Sequence, residues 1–202
     1  MAIPRGLYAV TPDWAETPRL ITATEAILRA GCRIVQYRNK TASPCHRDEQ
    51  AVALRGLTRR YGVLLIVNDD VELAISVEAD GAHLGGEDGD LAEARRRLGP
   101  ERILGASCYQ DIALAHAAIA AGADYVAFGS VYPSPTKPQA KRTGLDLFDK
   151  TRTGIRVPVA AIGGITAENC APLAAAGVDL LAVISAVYDT ASPEAAARRI
   201  QR

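Results

Sequence analysis

Eight short apolar runs, each closed by a polar or glycine-bearing turn and separated from the next by a stretch with helical spacing, are the strongest constraint on this chain. The runs are Leu7 to Val10, Ile34 to Tyr37, Leu64 to Val67, Ala82 to Leu84, Ile103 to Ala106, Tyr125 to Phe128, Val157 to Ile162 and Leu180 to Ile184. Continuous apolar runs of this length fit strands buried on both faces, which is the habit of parallel sheets covered by helices. The helices carry start signals: Asp69 with Glu72 and Asp90 with Glu93 stand at N-cap to N3 spacing, and Ser192 followed by Pro193 opens the last one. A phrase recurs before four of the runs, as RAGCRIV, EADGAHL, AAGADYV and AAGVDLL. Each reads as a helix end, a glycine in the left-handed cap, then a strand. Such α-Gly-β repetition without a linker or low-complexity segment predicts one compact (β/α)8 TIM barrel domain of the α/β class over residues 1–202. A doubly wound open sheet also has parallel strands, and the count of eight favours the barrel.

With 202 residues, 49% hydrophobic and 23% charged, the chain can bury a sizeable core as one domain. The formal net charge is zero and the longest basic run is Arg95 to Arg97 on a helix face, which argues against nucleic acid or a membrane surface as partner. Small anionic molecules stay open, since a few local cations suffice. The N-terminus lacks the basic-then-apolar layout of a signal peptide, and no apolar stretch reaches the roughly 18 residues of a membrane span, so a cytoplasmic protein is expected. Cys32, Cys45, Cys108 and Cys170 form no C-x-x-C pair and read as reduced, mostly buried thiols. A homo-oligomer is compatible with this composition.

In a barrel, function sits on the rim at the C-terminal ends of the strands. The second run ends in Gln36, Arg38 and Lys40, and the third in Asn68 and Asp69. The fourth runs into Gly85, Gly86, Glu87 and Asp88, and the fifth ends in Ser107. A long loop, GSVYPSPTKPQAKRTG, comes after the sixth with Ser130, Ser134, Thr136 and Lys137; Gly163 and Gly164 come after the seventh, and Ser185 after the eighth. Asp69 is either a helix cap or a ligand. Asp88 has no capping duty, because Asp90 is the better cap for the next helix. Two rim carboxylates beside the Asn68 amide suit a hard cation such as Mg²⁺, which takes one or two carboxylates, several waters and substrate phosphate oxygens. His83 lies inside a short strand without a second His or Cys and reads as a satisfied pocket histidine. At strand period Gln36, Arg38 and Lys40 share one side, and phosphate suits Arg as a fork and Lys as a point charge. Pro133, Pro135 and Pro138 stiffen the long loop around Lys137 and its hydroxyls. Gly163 and Gly164, matched by Ser185, point to a second anion site. Two anion sites and one metal suggest a transferase that expels diphosphate.

Gln36-Tyr37-Arg38-Asn39-Lys40, VNDD at 67–70, ADGAHLGGED at 79–88, GADYVAFGSVYPSPTK at 122–137, AIGGIT at 161–166 and AVISAV at 182–187 together resemble the thiamine-phosphate synthase (thiamine-phosphate pyrophosphorylase) family, in the family's order and over nearly the whole chain. The resemblance implies a barrel that joins 4-amino-2-methyl-5-hydroxymethylpyrimidine diphosphate to a thiazole phosphate, giving thiamine phosphate and diphosphate. It implies Asp69 and Asp88 as Mg²⁺ ligands. Arg38, Lys40, Lys137 and Ser107 are then the catalytic set around the pyrimidine diphosphate, with Asn68 and Gln36 in the same pocket. Ser134, Thr136, Gly164, Ile184 and Ser185 are expected to hold the thiazole phosphate. The implied reaction is dissociative: diphosphate leaves first and the thiazole nitrogen captures a pyrimidine methyl cation. Asn39 and Gly86 depart from the family pattern, which has an acidic residue and a glutamine there; they are expected to loosen the diphosphate pocket. The thiazole tautomerase branch, which uses a histidine after the fifth strand, and a non-catalytic thiazole phosphate-binding barrel are the alternatives. Here that turn reads Ser107-Cys108-Tyr109-Gln110, without histidine.

Overall fold

The computed structural model describes residues 2–86, 88–133 and 142–201. Its strands β1 (Gly6–Val10), β2 (Ile34–Tyr37), β3 (Leu64–Asn68), β4 (Gly81–Leu84), β5 (Ile103–Tyr109), β6 (Tyr125–Gly129), β7 (Val159–Ile162) and β8 (Leu180–Val183) pair in parallel in sequence order. The ring closes through β1 and β8, with Leu7 opposite Leu181, so the open-sheet alternative is excluded. Helices α1 (Thr17–Arg29), α2 (Pro44–Tyr61), α3 (Val71–Ser76), α4 (Leu91–Leu98), α5 (Ile112–Ala120), α6 (Asp146–Gly154), α7 (Ala171–Ala175), α8 (Ser185–Tyr188) and α9 (Pro193–Gln201) connect the strands or come after them. No helix among the described residues is long and apolar enough to cross a membrane.

The continuous apolar runs have a simple origin: strand residues alternate between two cores. Tyr8, Val10, Ile34, Ile66, Ile103, Tyr125 and Leu180 fill the barrel interior. Their neighbours Leu7, Ala9, Val35, Leu65 and Leu104 face the helices, where they meet residues such as Leu20, Leu54 and Phe148. Because Gln36 is in phase with Ile34, it points into the barrel.

Three of the four recurring phrases behave as read, with Gly31, Gly122 and Gly177 in the left-handed region after their helices. In EADGAHL the positive φ falls instead on Glu78 (53°), and Gly81 begins β4. A Cβ on Gly81 would lie 2.0 Å from the Ile103 carbonyl oxygen, so glycine serves strand contact there and not the cap. A second regularity sits inside the phrase. Asp80, Asp124 and Asp179 precede β4, β6 and β8, and each accepts a backbone N–H from the foot of a neighbouring strand: Leu65 at 2.8 Å, Leu104 at 2.8 Å and Val159 at 2.9 Å. Each is also paired with an arginine, namely Arg55, Arg95 and Arg5. These carboxylates clamp alternate strand pairs at the end of the barrel opposite the rim.

Strand boundaries differ slightly from the apolar runs. β7 starts at Val159 instead of Val157, β8 stops at Val183, and β5 continues past Ser107 to Tyr109 with a register shift against β6 between those two residues. The four cysteines are unpaired; Cys45 is exposed and the other three are buried.

Candidate active site

The strand C-termini surround a cavity of about 830 Å³ whose walls include Gln36, Arg38, Lys40, Asn68, Asp69, His83, Asp88, Ser107, Gly164, Ile184 and Ser185. These sequence-selected residues therefore converge on one mouth, together with Gly85, Ser130 and Gly163. Ser134, Thr136 and Lys137 lie outside the described residues, as does Glu87.

Asp69 is released from capping by its neighbour. Asp70 is the N-cap of α3 and accepts the Leu73 N–H at 2.9 Å, so the capping expectation for Asp69 is corrected. Asp69 itself adopts φ 63°, a conformation that costs a non-glycine residue of order 1 kcal/mol or more and aims its carboxylate into the cavity. Its N–H donates to the His83 carbonyl at 2.8 Å, which joins the ends of β3 and β4. Asp90 caps α4 as expected, accepting from the Glu93 N–H at 2.7 Å. Asp88 is consequently left in the loop, where it accepts the Gly85 N–H at 2.8 Å.

The two carboxylates lie within hydrogen-bond reach of each other. Burial, then the facing Asp88, pushes Asp69 above the usual carboxylate range, with Lys40 opposing. Partial burial works against the charge of Asp88 too, yet the hydrogen bond with Asp69 and the Gly85 N–H hold it below that range. Two carboxylates this close repel unless a proton or a cation lies between them. Lys40 Nζ, 3.0 Å from Asp69 Oδ2, supplies part of the compensation. Among the described residues no cluster of three or more His, Cys, Asp or Glu side chains forms, so a metal would need other oxygens to complete its shell.

Arg38 is oriented by a residue outside the sequence-derived set. Its NH1 group donates to both oxygens of Asp13, at 2.9 and 3.0 Å, and the Lys40 N–H donates to Asp13 Oδ1 at 2.8 Å. Thr11 ties the same segment through the Arg38 backbone, donating to its carbonyl at 2.8 Å and accepting its N–H. Thr11 and Asp13 stand directly after β1, so the rim position that marks the other site residues marks these two as well. Asn39 turns away from the mouth: Nδ2 donates to the Trp14 carbonyl and to Gln50, and Oδ1 accepts from Thr41 and Ala42. It holds the turn that carries Lys40, contrary to the expected loosening. At Gly86, whose N–H donates to the Tyr109 hydroxyl at 3.2 Å, the exposed Tyr109 ring flanks the loop from β5.

Gly163 (φ 108°) and Gly164 (φ 61°) have a packing reason beside any anion duty. A Cβ on Gly163 would meet Ser130 Oγ at 2.2 Å, and one on Gly164 the Pro133 carbonyl oxygen at 2.2 Å. The glycine pair thus lets the start of the long loop lie against β7. Asn169 fixes the turn from the other side, donating to the Gly164 carbonyl at 2.9 Å and accepting the Thr166 N–H at 2.8 Å. Ser185 opens the four-residue α8 next to it, and Val10, Ala127, Ala160, Ile162 and Ala182 give the cavity an apolar floor.

His83 is 6% exposed, and burial lowers its pKa to about 4, with Asp88 pulling weakly the other way. The imidazole is therefore neutral in the folded protein at neutral pH. Below its ordinary value of 6.5 the unfolded chain binds a proton that the native state refuses. The stabilising contribution is complete above that pH, falls as pH drops toward about 4, and ends roughly 3 kcal/mol lower. Urea unfolding of the wild type and of His83→Asn from pH 7.5 to 4 should show a flatter slope in the variant; parallel slopes would contradict this assignment.

A profile of the family described as Thiamine monophosphate synthase matches residues 7–187. The thiamine-phosphate synthase of Thioalkalivibrio sulfidiphilus is 54% identical over 197 residues, which cover 97% of this chain and 93% of the relative. That of Methylobacillus flagellatus is 51% identical over 198 residues, covering 98% and 94%. Among solved structures, the thiamine phosphate pyrophosphorylase of Pyrococcus furiosus superposes with a TM-score of 0.87 at 35% identity, covering 96% of this chain and 93% of that one. With these similarities spanning both the barrel and its rim, the chain belongs to the thiamine monophosphate synthase family.

Proposed function

We propose that this transferase joins 4-amino-2-methyl-5-hydroxymethylpyrimidine diphosphate to a thiazole phosphate, releasing diphosphate and thiamine phosphate, with Mg²⁺ held by Asp69 and Asp88. The observation that carries the reading is the facing carboxylate pair beside Lys40 and Arg38 at the mouth of a cavity with an apolar floor. The donor set fits Mg²⁺: two hard carboxylate oxygens leave positions for water and phosphate oxygens. When bound, that ion supplies neutralisation of the charge that develops on the departing diphosphate. Lys40 adds a point charge at the same place. Arg38, with NH1 clamped by Asp13, keeps its other N–H groups free of protein acceptors among the described residues, so they can fork onto phosphate. Asn68 and Ser107 add neutral hydrogen-bonding groups from β3 and β5.

A dissociative course accords with the site because it requires no protein nucleophile. His83 is neutral and fully engaged, and the cations face the leaving group. Catalysis then rests on charge stabilisation and on holding the thiazole nitrogen against the pyrimidine methyl carbon. Gly164, Ile184 and Ser185 are assigned to the thiazole phosphate, with Ser134 and Thr136; Lys137 is assigned to the diphosphate. The turn Ser107 to Gln110 has no histidine for tautomerase chemistry. Unpaired thiols support a cytoplasmic site of action. Titration calorimetry with the pyrimidine diphosphate should show binding at least about tenfold tighter with Mg²⁺ than with EDTA, as expected for an ion shared between carboxylates and phosphate. Equal affinity would overturn the metal assignment.

A further inference from the structure

A row of polar groups, buried except for the part-buried Ser107, crosses the barrel along the cavity wall, and the proposed reaction uses only its two ends. Gln36 Nε2–H donates to the Tyr8 hydroxyl at 2.8 Å, and the Tyr8 and Tyr125 hydroxyls are 2.7 Å apart. Tyr125 Oη lies 2.9 Å from His83 Nδ1, and His83 Nε2 lies 2.9 Å from Ser107 Oγ. The row draws on five strands, β2, β1, β6, β4 and β5. Tyr8 is 1% exposed and Tyr125 is fully buried, with their rings in edge contact at 5.9 Å.

A phenol has one proton, so the direction of the first bond sets all the others. Tyr8 accepts from Gln36, and its own proton therefore goes to Tyr125. Were Tyr125 to donate to Tyr8 instead, the Tyr8 proton would be left without an acceptor in a buried site, at a cost of about 1–3 kcal/mol. Tyr125, having accepted from Tyr8, donates to His83 Nδ1. A neutral imidazole that accepts at Nδ1 carries its proton on Nε2, which donates to Ser107 Oγ. Burial keeps His83 neutral.

We infer that Tyr8 and Tyr125 are positioning residues: they hold His83 as the Nε2–H tautomer and give the cavity a fixed hydrogen-bond polarity. Ser107, already an acceptor from His83, presents its own proton to the ligand. Gln36, its side-chain nitrogen engaged by Tyr8, presents its side-chain oxygen Oε1, which takes no hydrogen bond among the described residues. The site therefore selects a heteroaromatic ligand with an N–H donor facing Gln36 and an acceptor facing Ser107, and rejects one with a carbonyl in place of the amine. This identification rests on the pyrimidine diphosphate reading, in which the exocyclic amine is that donor. The polarity itself does not.

The test has two arms. The ring nitrogens of His83, one of only three histidines, are read by 15N–1H correlation spectra of the ligand-free wild type. The Nε2–H tautomer is the expected result; the Nδ1–H tautomer or an imidazolium at neutral pH would overturn the inference. In the second arm, kcat/KM is measured for the aminopyrimidine diphosphate and its oxo analogue in the wild type and in Tyr8→Phe. The wild type should prefer the amine by about 100-fold or more, because the oxo group leaves the buried Gln36 Oε1 unpaired. Tyr8→Phe removes the hydroxyl that accepts from Gln36 Nε2, leaving that amide to Tyr125 alone, and should narrow that ratio about tenfold. Both rates falling together with the ratio unchanged would reduce Tyr8 to a structural residue and overturn the inference. If the wild type turned over neither pyrimidine, the reaction assignment would fail, while the spectrum would still decide the polarity. Should Tyr8→Phe not fold, the wild-type spectrum decides alone.

Discussion

Asp88→Asn should lower kcat/KM for thiamine phosphate formation by about 10³-fold, equivalent to roughly 4 kcal/mol of transition-state stabilisation, while leaving the melting temperature unchanged or slightly raised. The substitution keeps one interaction of this side chain and removes another. An asparagine oxygen can still accept the Gly85 N–H, now 2.8 Å from Asp88 Oδ2, so the loop keeps its shape. The negative charge disappears, and with it half of the carboxylate pair that faces Lys40 across the mouth. In the ligand-free protein that loss relieves repulsion with Asp69, which is why stability should not suffer. In the reacting complex it removes an ionic ligand from a hard cation, and the loss is felt as charge builds on diphosphate. Steady-state kinetics across a Mg²⁺ series, with a thermal melt of the same sample, gives both numbers. A rate within a few-fold of wild type would end the ligand assignment for Asp88.

The second large effect lies at the opposite end of the barrel. Asp80→Ala should destabilise the fold by about 3 kcal/mol, lowering the melting temperature by about 10 °C, with kcat/KM at 25 °C within about twofold of wild type. Asp80 Oδ2 accepts from both the Leu65 N–H at 2.8 Å and Arg55 NH1 at 2.7 Å. Its side chain and that of Arg55 are only 14% and 15% exposed. Arg55 Nε already lacks a hydrogen-bond partner, so alanine would leave a largely buried guanidinium without its carboxylate. Breaking one partner of such a pair costs several times what an exposed ion pair contributes. Differential scanning calorimetry alongside the activity assay separates the outcomes. An unchanged melting temperature would deny the clamp its role, and lost activity in a folded variant would deny the separation of foot from rim.

These two carboxylates also show where the sequence speaks and where it does not. Eight apolar runs with both faces buried, and the α-Gly-β phrase, carry the barrel, because strand period and helix caps are local properties. The convergence of Gln36, Arg38, Lys40, Asn68, Asp69, Asp88 and Ser107 was equally legible, since parallel strands bring all their C-terminal ends to one rim. The recurring aspartate at positions 80, 124 and 179 stood in the same phrase as the glycine, yet its duty depends on the neighbouring strand and on distant arginines. Asp69 and Asp70 both fit a helix start within one residue; the Leu73 N–H donated to Asp70 and the φ of 63° at Asp69 show that Asp70 caps and Asp69 faces the cavity. Asp13 was hidden for a related reason. Its partners Arg38 and Lys40 are 25 and 27 residues away, beyond any local pattern. The Tyr8 to Ser107 row is less legible still, because a buried tyrosine in a strand looks like ordinary core until its hydroxyl is placed.

The most direct test of the central claim is to incubate the purified protein with the pyrimidine diphosphate and thiazole phosphate, with Mg²⁺ or with EDTA, and to quantify thiamine phosphate and diphosphate together. Equal, Mg²⁺-dependent formation of the two products is the expected result. Binding of either substrate without product, or product formation undiminished by EDTA, would contradict the account.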